Sequence, residues 1–309
     1  MSVIAAGGVL GAAFLDRLIG EPPARVHPVA LFGRLVAPLD REWRYPRAIG
    51  LVGAVLLPLS AAAIVAFAVA AGGVLHPVAG GVVATVVLFS VTSLRLLCST
   101  ASKVIGLSTS DLPRAREELI ALAGRDATTL SAGEIRSAAV ESSAENLADG
   151  LVAPLVGFAV VGVTAAGRID PTAALALATA TAAWVKAVNT MDSMLGYQSK
   201  PVGTASARLD DLVMWLPARL TALVLSAAAL SPDPVVSARR WARKPPSPNS
   251  GWPMATLAAA LQVRLEKPGV YVLNEIASLP TESEGERGVA LVRRAGWLSF
   301  GLTAVIVSV

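Results

Sequence analysis

Two consecutive apolar runs, residues 48–73 and 74–97, constrain the fold of this chain more than any other feature. Each is longer than the roughly 20 residues that an α-helix needs to cross the hydrocarbon core of a bilayer. Only an uncharged turn around Gly72 and His76 separates them, so we expect them to form a membrane hairpin. The content of 54% hydrophobic and 16% charged residues is also typical of membrane proteins. We therefore predict an all-α, polytopic integral membrane protein with helical hairpins and cytoplasm-facing helical loops.

Shorter apolar runs flank this hairpin. They cover residues 3–15, 151–166, 171–188 and 295–309. Residues 212–230 are apolar too, but Pro217 and Arg219 interrupt them. We expect a bent, re-entrant or interfacial element there, because a simple span would place the basic residues that follow it outside the cell.

Basic residues on both sides of the hairpin predict the orientation. They are Arg34, Arg41, Arg44 and Arg47 before it, and Arg95, Lys103, Arg114, Arg116 and Arg125 after it. Cytoplasmic loops carry an excess of Lys and Arg. We predict one membrane domain over residues 1–309, with a cytoplasmic helical segment at 98–150 and a cytoplasmic loop segment at 231–294. The protein is expected in the inner or plasma membrane, with its active site facing the cytoplasm.

Several kinds of chemistry are excluded by what the sequence lacks. Cys98 is the only cysteine, so neither an internal disulfide nor a cysteine-based metal site is possible. The two histidines are His27 and His76, which rules out the HExxH zinc motif. No phosphate-binding GxxxxGK[ST] loop, GxGxxG motif or GxSxG elbow is present. No basic tract is dense enough for nucleic acid.

Three carboxylates, Glu141, Glu145 and Asp149, are spaced four residues apart and so share one face of a helix. No Lys or Arg lies among them, although like charges at this spacing destabilise a helix by roughly a few tenths of a kcal/mol per pair. A solvated acidic face is one explanation. The other is a Mg²⁺ site, since Mg²⁺ is bound by one or two carboxylates together with substrate phosphates. We favour the metal site.

A second polar face contains Lys186, Asn189, Asp192 and Ser193, at helical positions i, i+3, i+6 and i+7 just past an apolar run. One interpretation is a lysine that snorkels from the membrane beside a helix terminus. The other is a phosphate-contacting lysine beside a second metal-binding carboxylate.

Other polar residues have simpler explanations when considered alone. Arg208, Asp210 and Asp211 precede an apolar run. An Asp pair at the N-terminus of a helix would be stabilised by the helix dipole, and this explanation is as good as a role in a functional site. His27 alone is more often structural than catalytic, and residues 246–253 alone indicate only a turn-rich loop.

Together, these segments resemble the cobalamin-biosynthesis CobD/CbiB family. The motifs that carry the resemblance are Asp16 with Gly20-Glu21-Pro22, His27-Pro28-Val29, Gly124-Arg125-Asp126, Val140-Glu141-Ser142, Ala144-Glu145-Asn146, Asp149-Gly150, the block from Lys186 to Tyr197, Ser206 to Asp211, Leu216 to Leu220, and Ser247 to Trp252. They run in family order and cover most of the chain.

The resemblance implies adenosylcobinamide-phosphate synthase, an ATP-dependent acid–amine ligase. Such an enzyme joins the remaining carboxyl of adenosylcobyric acid to the amine of (R)-1-aminopropan-2-ol phosphate, or of the free alcohol. ATP is the implied co-substrate and Mg²⁺ the implied metal. The expected partners are these substrates, the lipid bilayer, and either a second copy or other enzymes of the pathway. An intramembrane transferase acting on lipid phosphates and a corrinoid transporter or signalling relative are the alternative functions.

Site residues follow from the motifs. We expect metal and phosphate binding by Glu141, Glu145, Asp149 and Asp192, with Asn146 and Lys186 completing the catalytic set. The substrate-binding set is Asp16, His27, Arg125, Asn189, Ser193, Tyr197, Arg208, Asp210, Asp211, Asn249 and Trp252. Within it, Arg208 is expected to hold the aminopropanol phosphate.

Overall fold

The structure, a computed structural model, describes residues 2–23, 25–197 and 199–309. Helices account for most of it. They are α1 (Ser2–Ile19), α2 (Pro28–Val36), α3 (Pro46–Leu75), α4 (Pro77–Val91), α5 (Arg95–Ser110), α6 (Leu112–Leu119), α7 (Ala132–Leu147), α8 (Ala153–Ala165), α9 (Pro171–Leu195), α10 (Thr204–Val213), α11 (Trp215–Ala228), α12 (Asp233–Ala238), α13 (Gly251–Leu261) and α14 (Glu282–Ser308). Short 3₁₀ turns at Ala37–Leu39 and Pro201–Gly203 and a π-helical turn at Ala148–Val152 complete the helical structure.

Five helical runs are long and apolar enough to cross a membrane. Within the described residues they are Pro46–Leu75, Pro77–Ser110, Ala132–Ala165, Pro171–Leu195 and Glu282–Ser308. The all-α, polytopic membrane architecture is thereby confirmed. Pro201–Val213 and Trp215–Ala228 qualify only as a pair, so this part is a broken span or a re-entrant loop. The interruption falls at Met214 rather than at Pro217, because proline is tolerated in the first turn of a helix.

The chain packs into two compact units. The first contains the chain up to Ser93, Asp149–Met214 and Ser299–Val309, and the second contains Leu94–Ala148 and Trp215–Leu298.

In the first unit, α3 packs along α9, α8 packs against α9, and α1 packs against α4. Asp170 begins α9 by accepting hydrogen bonds from the backbone N–H groups of Thr172 and Ala173, at 2.9 and 3.0 Å. One apolar core joins α2, α3 and α9; its buried members include Phe32, Ala54 and Met191. This core fixes the second half of α9, which carries the polar face predicted from the sequence.

The turn after α9 is held by a close backbone approach. A Cβ atom on Gly203 would lie 1.7 Å from the carbonyl oxygen of Leu195, so only glycine fits. Lys200 Nζ also forms an ion pair with Asp40 Oδ2 at 2.7 Å. The C-terminal end of α9 therefore lies beside the segment that connects α2 to α3.

The second unit is built around α7, which packs against α5 and α13. A capping box begins α7: Ser131 Oγ accepts from the Glu134 N–H at 3.3 Å, and Glu134 Oε2 accepts from the Ser131 N–H at 2.7 Å. The Ser-x-x-Glu spacing of these two residues is the sequence signature of such a box.

One small β-hairpin, not expected from the sequence, lies in the predicted cytoplasmic loop segment. Strands β1 (Leu265–Lys267) and β2 (Tyr271–Leu273) pair antiparallel, with Leu265 opposite Leu273. Gly269 supplies a positive φ of 72° in the turn. The Glu266 N–H donates to Ser137 Oγ at 2.8 Å, which attaches the hairpin to α7. The hairpin thereby brings the side chain of Tyr271 to α7.

Candidate functional site

Four aspartates, one lysine and one asparagine come together in the first unit. We call this the acidic cluster; its members are Asp149, Lys186, Asn189, Asp192, Asp210 and Asp211. The charge of Lys186 interacts with Asp149 and Asp210, and Asn189 Nδ2 donates to Asp210 Oδ1 at 3.5 Å. Asp149 is also a hydrogen-bonding partner of Asn189. Carboxylates outnumber cations in the cluster, so a further positive charge would stabilise it.

Helix α9 supplies the centre of the cluster. Lys186, Asn189 and Asp192 are spaced three residues apart within Pro171–Leu195, and each interacts with at least one carboxylate from another element. The predicted polar face of this helix is therefore present. The lysine does not simply snorkel to water, because its charge is directed to carboxylates.

Asp210 and Asp211 occupy a different helical position from the one expected. They lie in the last turn of α10, whereas the sequence suggested that they precede a helix. The helix-dipole explanation is therefore wrong, since carboxylates are favoured at an N-terminus and disfavoured at a C-terminus. Because the dipole of α10 does not stabilise these two carboxylates, they need positive charge from another source.

Asp149 lies on the π-helical turn Ala148–Val152, after α7 has ended at Leu147. The prediction that one α-helical face continues through Asp149 is wrong, because a π turn closes i→i+5 hydrogen bonds and shifts the phase of the following side chains. Single π turns occur frequently at functional sites. The sequence pattern could not reveal this one, since the local spacing fits an ordinary α-helix.

Glu21 belongs to the same region, although it was not among the predicted site residues. Its Oε2 lies 3.5 Å from His27 Nε2, and its charge also interacts with Lys186. Burial raises the pKa of Glu21, but hydrogen bonds from His27 and Ser93 outweigh burial and leave the pKa below its usual value. The only sequence signal was its place in the Gly20-Glu21-Pro22 motif.

His27 has a structural role in addition. Its Nδ1 accepts from the Val29 N–H at 3.2 Å and so caps α2. Because Nδ1 is an acceptor, Nε2 carries the hydrogen that faces Glu21. This arrangement fixes Glu21 relative to the start of α2.

The donor chemistry of the acidic cluster fits Mg²⁺ bound together with a phosphate. Among the residues that the structure describes, no group of three or more His, Cys, Asp or Glu side chains forms a metal site by itself. Mg²⁺ usually takes only one or two protein carboxylates and completes its shell with phosphate oxygens and water. Asp149, Asp192 and Asp210 offer such carboxylates, and Lys186 beside them is a suitable phosphate contact.

A separate polar group lies in the second unit. Arg125 Nη2 donates to Glu141 Oε2 at 2.8 Å, and the hydroxyl of Tyr271 donates to the same oxygen at 3.3 Å. Glu141 obtains its cationic partner from outside its own helix, because the loop before α7 folds back and brings Arg125 to it. Glu141 is fully buried, and an unpaired charge there would cost several kcal/mol.

The charges of this group act on one another. Burial and the negative charge of Glu141 raise the pKa of Tyr271, so its hydroxyl remains a donor. Burial alone would lower the pKa of Arg125, but the adjacent Glu141 raises it above its usual value. Glu145 also interacts with Tyr271, while Asn146 Nδ2 donates to the Ser142 carbonyl at 2.9 Å. Metal or catalytic roles for Glu141, Glu145 and Asn146 remain predictions.

Asn249 and Trp252 lie in a second cluster of this unit, around Arg219. The guanidinium of Arg219 stacks over Trp215 and Trp252, with its Cζ 4.7 and 5.3 Å from the ring centroids, and it donates to Asn249 Oδ1. Arg219 thus organises the turn-rich loop that the sequence indicated. Substrate binding by Asn249 and Trp252 stays a prediction.

The remaining predicted residues are placed individually. Asp16 is buried in α1. Ser193 is exposed and donates to the Asn189 carbonyl at 2.9 Å. Tyr197 is exposed, with Lys200 Nζ 5.2 Å from the centre of its ring. Arg208 is exposed on α10, two residues before Asp210. Their proposed substrate contacts remain predictions.

Comparison with known proteins identifies the family. The model of the CobD/CbiB protein family matches residues 9–298 of the chain. The chain belongs to this family. Its place in the family gives it a role in cobalamin biosynthesis and implies a corrinoid substrate.

Relatives from three organisms match over most of their length. A probable cobalamin biosynthesis protein CobD of Methanothrix thermoacetophila is 34% identical, over 96% of this chain and 94% of the relative. The cobalamin biosynthesis protein CobD of Geobacter metallireducens is 39% identical, over 87% and 84%, and that of Rhodobacter capsulatus is 34% identical, over 96% of both. No solved structure matches the chain.

Proposed function

We propose that this protein is an adenosylcobinamide-phosphate synthase. It joins the remaining carboxyl of adenosylcobyric acid to the amine of (R)-1-aminopropan-2-ol phosphate, or of the free alcohol, in an ATP- and Mg²⁺-dependent reaction. The observation that supports this best is the acidic cluster, in which Lys186 and Asn189 lie among four aspartates. Membership of the CobD/CbiB family supports the choice of a corrinoid.

The reaction has two balanced steps in this proposal. The corrinoid carboxylate attacks the γ-phosphorus of ATP, giving an acyl phosphate and ADP. The amine then attacks the acyl carbon, inorganic phosphate leaves, and the amine loses a proton. Both steps gather negative charge on phosphate oxygens, so catalysis depends on positioning and on nearby positive charge.

The residues of the first unit take distinct roles. Asp149 and Asp192 would hold Mg²⁺, which when bound neutralises the charge of the phosphates. Lys186 donates to a phosphate oxygen, and Asn189 orients Asp149 and Asp210. The proposed contact of exposed Arg208 is the phosphate of the aminopropanol, because Arg binds phosphate through two parallel hydrogen bonds.

We further propose that the cluster faces the cytoplasm of a cell with the protein in its inner or plasma membrane. The ion pair between Lys200 and Asp40 joins the end of α9 to the segment before α3. That segment contains Arg41 and Arg44, and Arg47 follows in the first turn of α3. Basic residues beside a span favour the cytoplasmic side. ATP is available on that side.

The test is amide formation by the purified protein in detergent or lipid. Adenosylcobyric acid, aminopropanol phosphate, ATP and Mg²⁺ are supplied, and the corrinoid product is measured by mass. We expect product that depends on both ATP and Mg²⁺. Asp149→Asn should lower its rate at least 100-fold, the scale on which loss of one charge-stabilising group slows an enzyme.

Asp170→Asn is the matched control, because asparagine caps a helix as well as aspartate does and Asp170 lies at the other end of α9. It should retain the wild-type rate. Absence of product from folded wild-type protein would contradict the proposed reaction. Product formed at the wild-type rate by Asp149→Asn would contradict the proposed site while leaving the reaction in place.

A further inference from the structure

An apolar cavity of about 400 Å³ lies within the first unit, between α2, α3, α4 and α9. Its walls include Leu31 and Leu35 of α2, Ile64 of α3, Val86 of α4 and Ala183 of α9. The volume is within the range of pockets that enclose a small ligand. Three of its four helices belong to candidate membrane spans, so a ligand can reach it from the bilayer.

The rim of the cavity is exposed and apolar. Leu35, Ile64 and Val86 are 62%, 69% and 49% exposed. Large apolar side chains at such exposure are unfavourable against water, whereas on a membrane-spanning helix they contact acyl chains. An opening of this composition admits hydrocarbon and excludes a polar solute.

Lys186 is the one charged residue among the described residues that line the cavity. Its ammonium is engaged by the carboxylates of Asp149, Glu21 and Asp210, so it contributes an alkyl chain to the wall. Without a bound metal ion, the surplus of negative charge around this lysine does not attract an anionic lipid head group. An anionic head group must therefore lie at the other side of the opening.

Helix α2, which supplies one wall of the cavity, carries positive charge. Arg34 is exposed on α2, between the lining residues Leu31 and Leu35, and it forms no ion pair with another described residue. Farther along, the guanidinium of Arg41 stacks on Trp43 at 3.9 Å and that of Arg44 on Tyr45 at 5.2 Å. Aromatic and basic side chains in this combination lie at the level of lipid head groups and attract anionic lipids.

We propose that the cavity binds one acyl chain of an anionic phospholipid whose phosphate contacts Arg34. The apolar walls select the chain, and the arginine selects the head group. The bound chain also covers the side of Lys186 that faces away from the acidic cluster and keeps water from it. This lipid site is additional to the proposed function and does not depend on it.

The test uses native mass spectrometry of the protein released from nanodiscs that contain equal amounts of phosphatidylglycerol and phosphatidylcholine. We expect one retained lipid with the mass of phosphatidylglycerol. Ala61→Leu combined with Ala68→Leu fills the cavity from α3 and should lower the lipid-bound fraction at least tenfold. Ala63→Leu is the matched control, because Ala63 is exposed on the same helix and lies outside the lining.

Arg34→Gln leaves the cavity intact and should lower the preference for the anionic lipid by roughly fivefold, as expected for one basic residue near the membrane surface. This variant keeps the test decisive if the filled variant does not fold, which circular dichroism will show. Equal lipid retention by filled and wild-type protein would overturn the proposal. So would unchanged selectivity in Arg34→Gln, or a protein dimer in place of the lipid adduct.

Discussion

Arg125 Nη2 and Glu141 Oε2 lie 2.8 Å apart and form an ion pair in which the carboxylate is fully buried. The pair joins the loop after α6 to the middle of α7. A buried ion pair contributes little compared with an apolar replacement, but removing one partner leaves an uncompensated charge. We therefore expect removal of one partner to destabilise the protein more than replacement of both.

We expect Arg125→Ala to lower the free energy of unfolding by about 3–5 kcal/mol, because it strands the charge of Glu141. Arg125→Ala combined with Glu141→Gln should recover part of this loss, since no buried charge remains. Chemical unfolding in detergent, followed by circular dichroism, measures both. Glu141→Gln alone is measured in the same way. If the double variant loses as much stability as Arg125→Ala and Glu141→Gln together, the two residues are not coupled.

Gly203→Ala should prevent stable folding of the first unit or destabilise it by more than about 3 kcal/mol. The new Cβ would lie 1.7 Å from the Leu195 carbonyl oxygen, and large losses of this kind follow from steric conflict with fixed backbone. Gly106→Ala, in α5, is the control. No atom lies within 4 Å of its added Cβ, so it should be neutral or add up to about 1 kcal/mol of stability. Thermal unfolding compares the two, and similar midpoints would contradict the close approach.

Acid should destabilise the protein partly through Glu21. The pKa of this carboxyl is lower in the folded protein than its usual value of 4.5, so the folded state binds fewer protons than the unfolded state. The resulting stability is fully present above pH 4.5 and is lost as the pH falls through the lower, folded pKa.

The unfolding temperature measured from pH 7 down to pH 3 should therefore fall less steeply for Glu21→Gln than for wild type. Glu42→Gln, at an exposed position of the same unit, should retain the wild-type slope. Identical acid profiles for wild type and Glu21→Gln would show that Glu21 contributes nothing in this range.

Lys186→Met should lower the rate of amide formation roughly 100-fold or more at saturating ATP, because a phosphate contact that acts on developing charge is removed. Lys200→Met is the control: Lys200 pairs with Asp40 on the surface, and its loss should change the rate less than about threefold, since exposed ion pairs contribute little. Mass analysis of the corrinoid product measures both rates. Equal rates for the two variants would remove Lys186 from the proposed catalytic set.

Much of the architecture could be predicted because hydrocarbon imposes a simple rule on it. Apolar runs such as residues 48–73 and 171–188 correspond to α3 and α9, since a chain in a bilayer must satisfy its backbone hydrogen bonds within each helix. The Ser131–Glu134 capping box was equally predictable from local chemistry. The β-hairpin was not, because each of its strands has only three residues and its attachment to α7 is through Ser137, which is 129 residues away from Glu266 in the sequence.

The kinds of residue in the candidate site could be predicted better than the contacts between them. The helical spacing of Lys186, Asn189 and Asp192 placed these three residues on one helix in advance. The partners of the carboxylates depend on tertiary contacts, so neither Arg125 beside Glu141 nor Glu21 near Lys186 could be derived from spacing. The π turn at Asp149 likewise has no signal in the pattern of apolar residues.

The division of the chain has a consequence for its biosynthesis. The first unit is formed by three separate segments, of which the third is Ser299–Val309. The residues between these segments form the second unit. A ribosome that delivers residues in order therefore releases the acidic cluster before it releases the final helical segment of the same unit. A nascent chain stalled before Ser299 would therefore carry the residues of the acidic cluster while its unit still lacks Ser299–Val309.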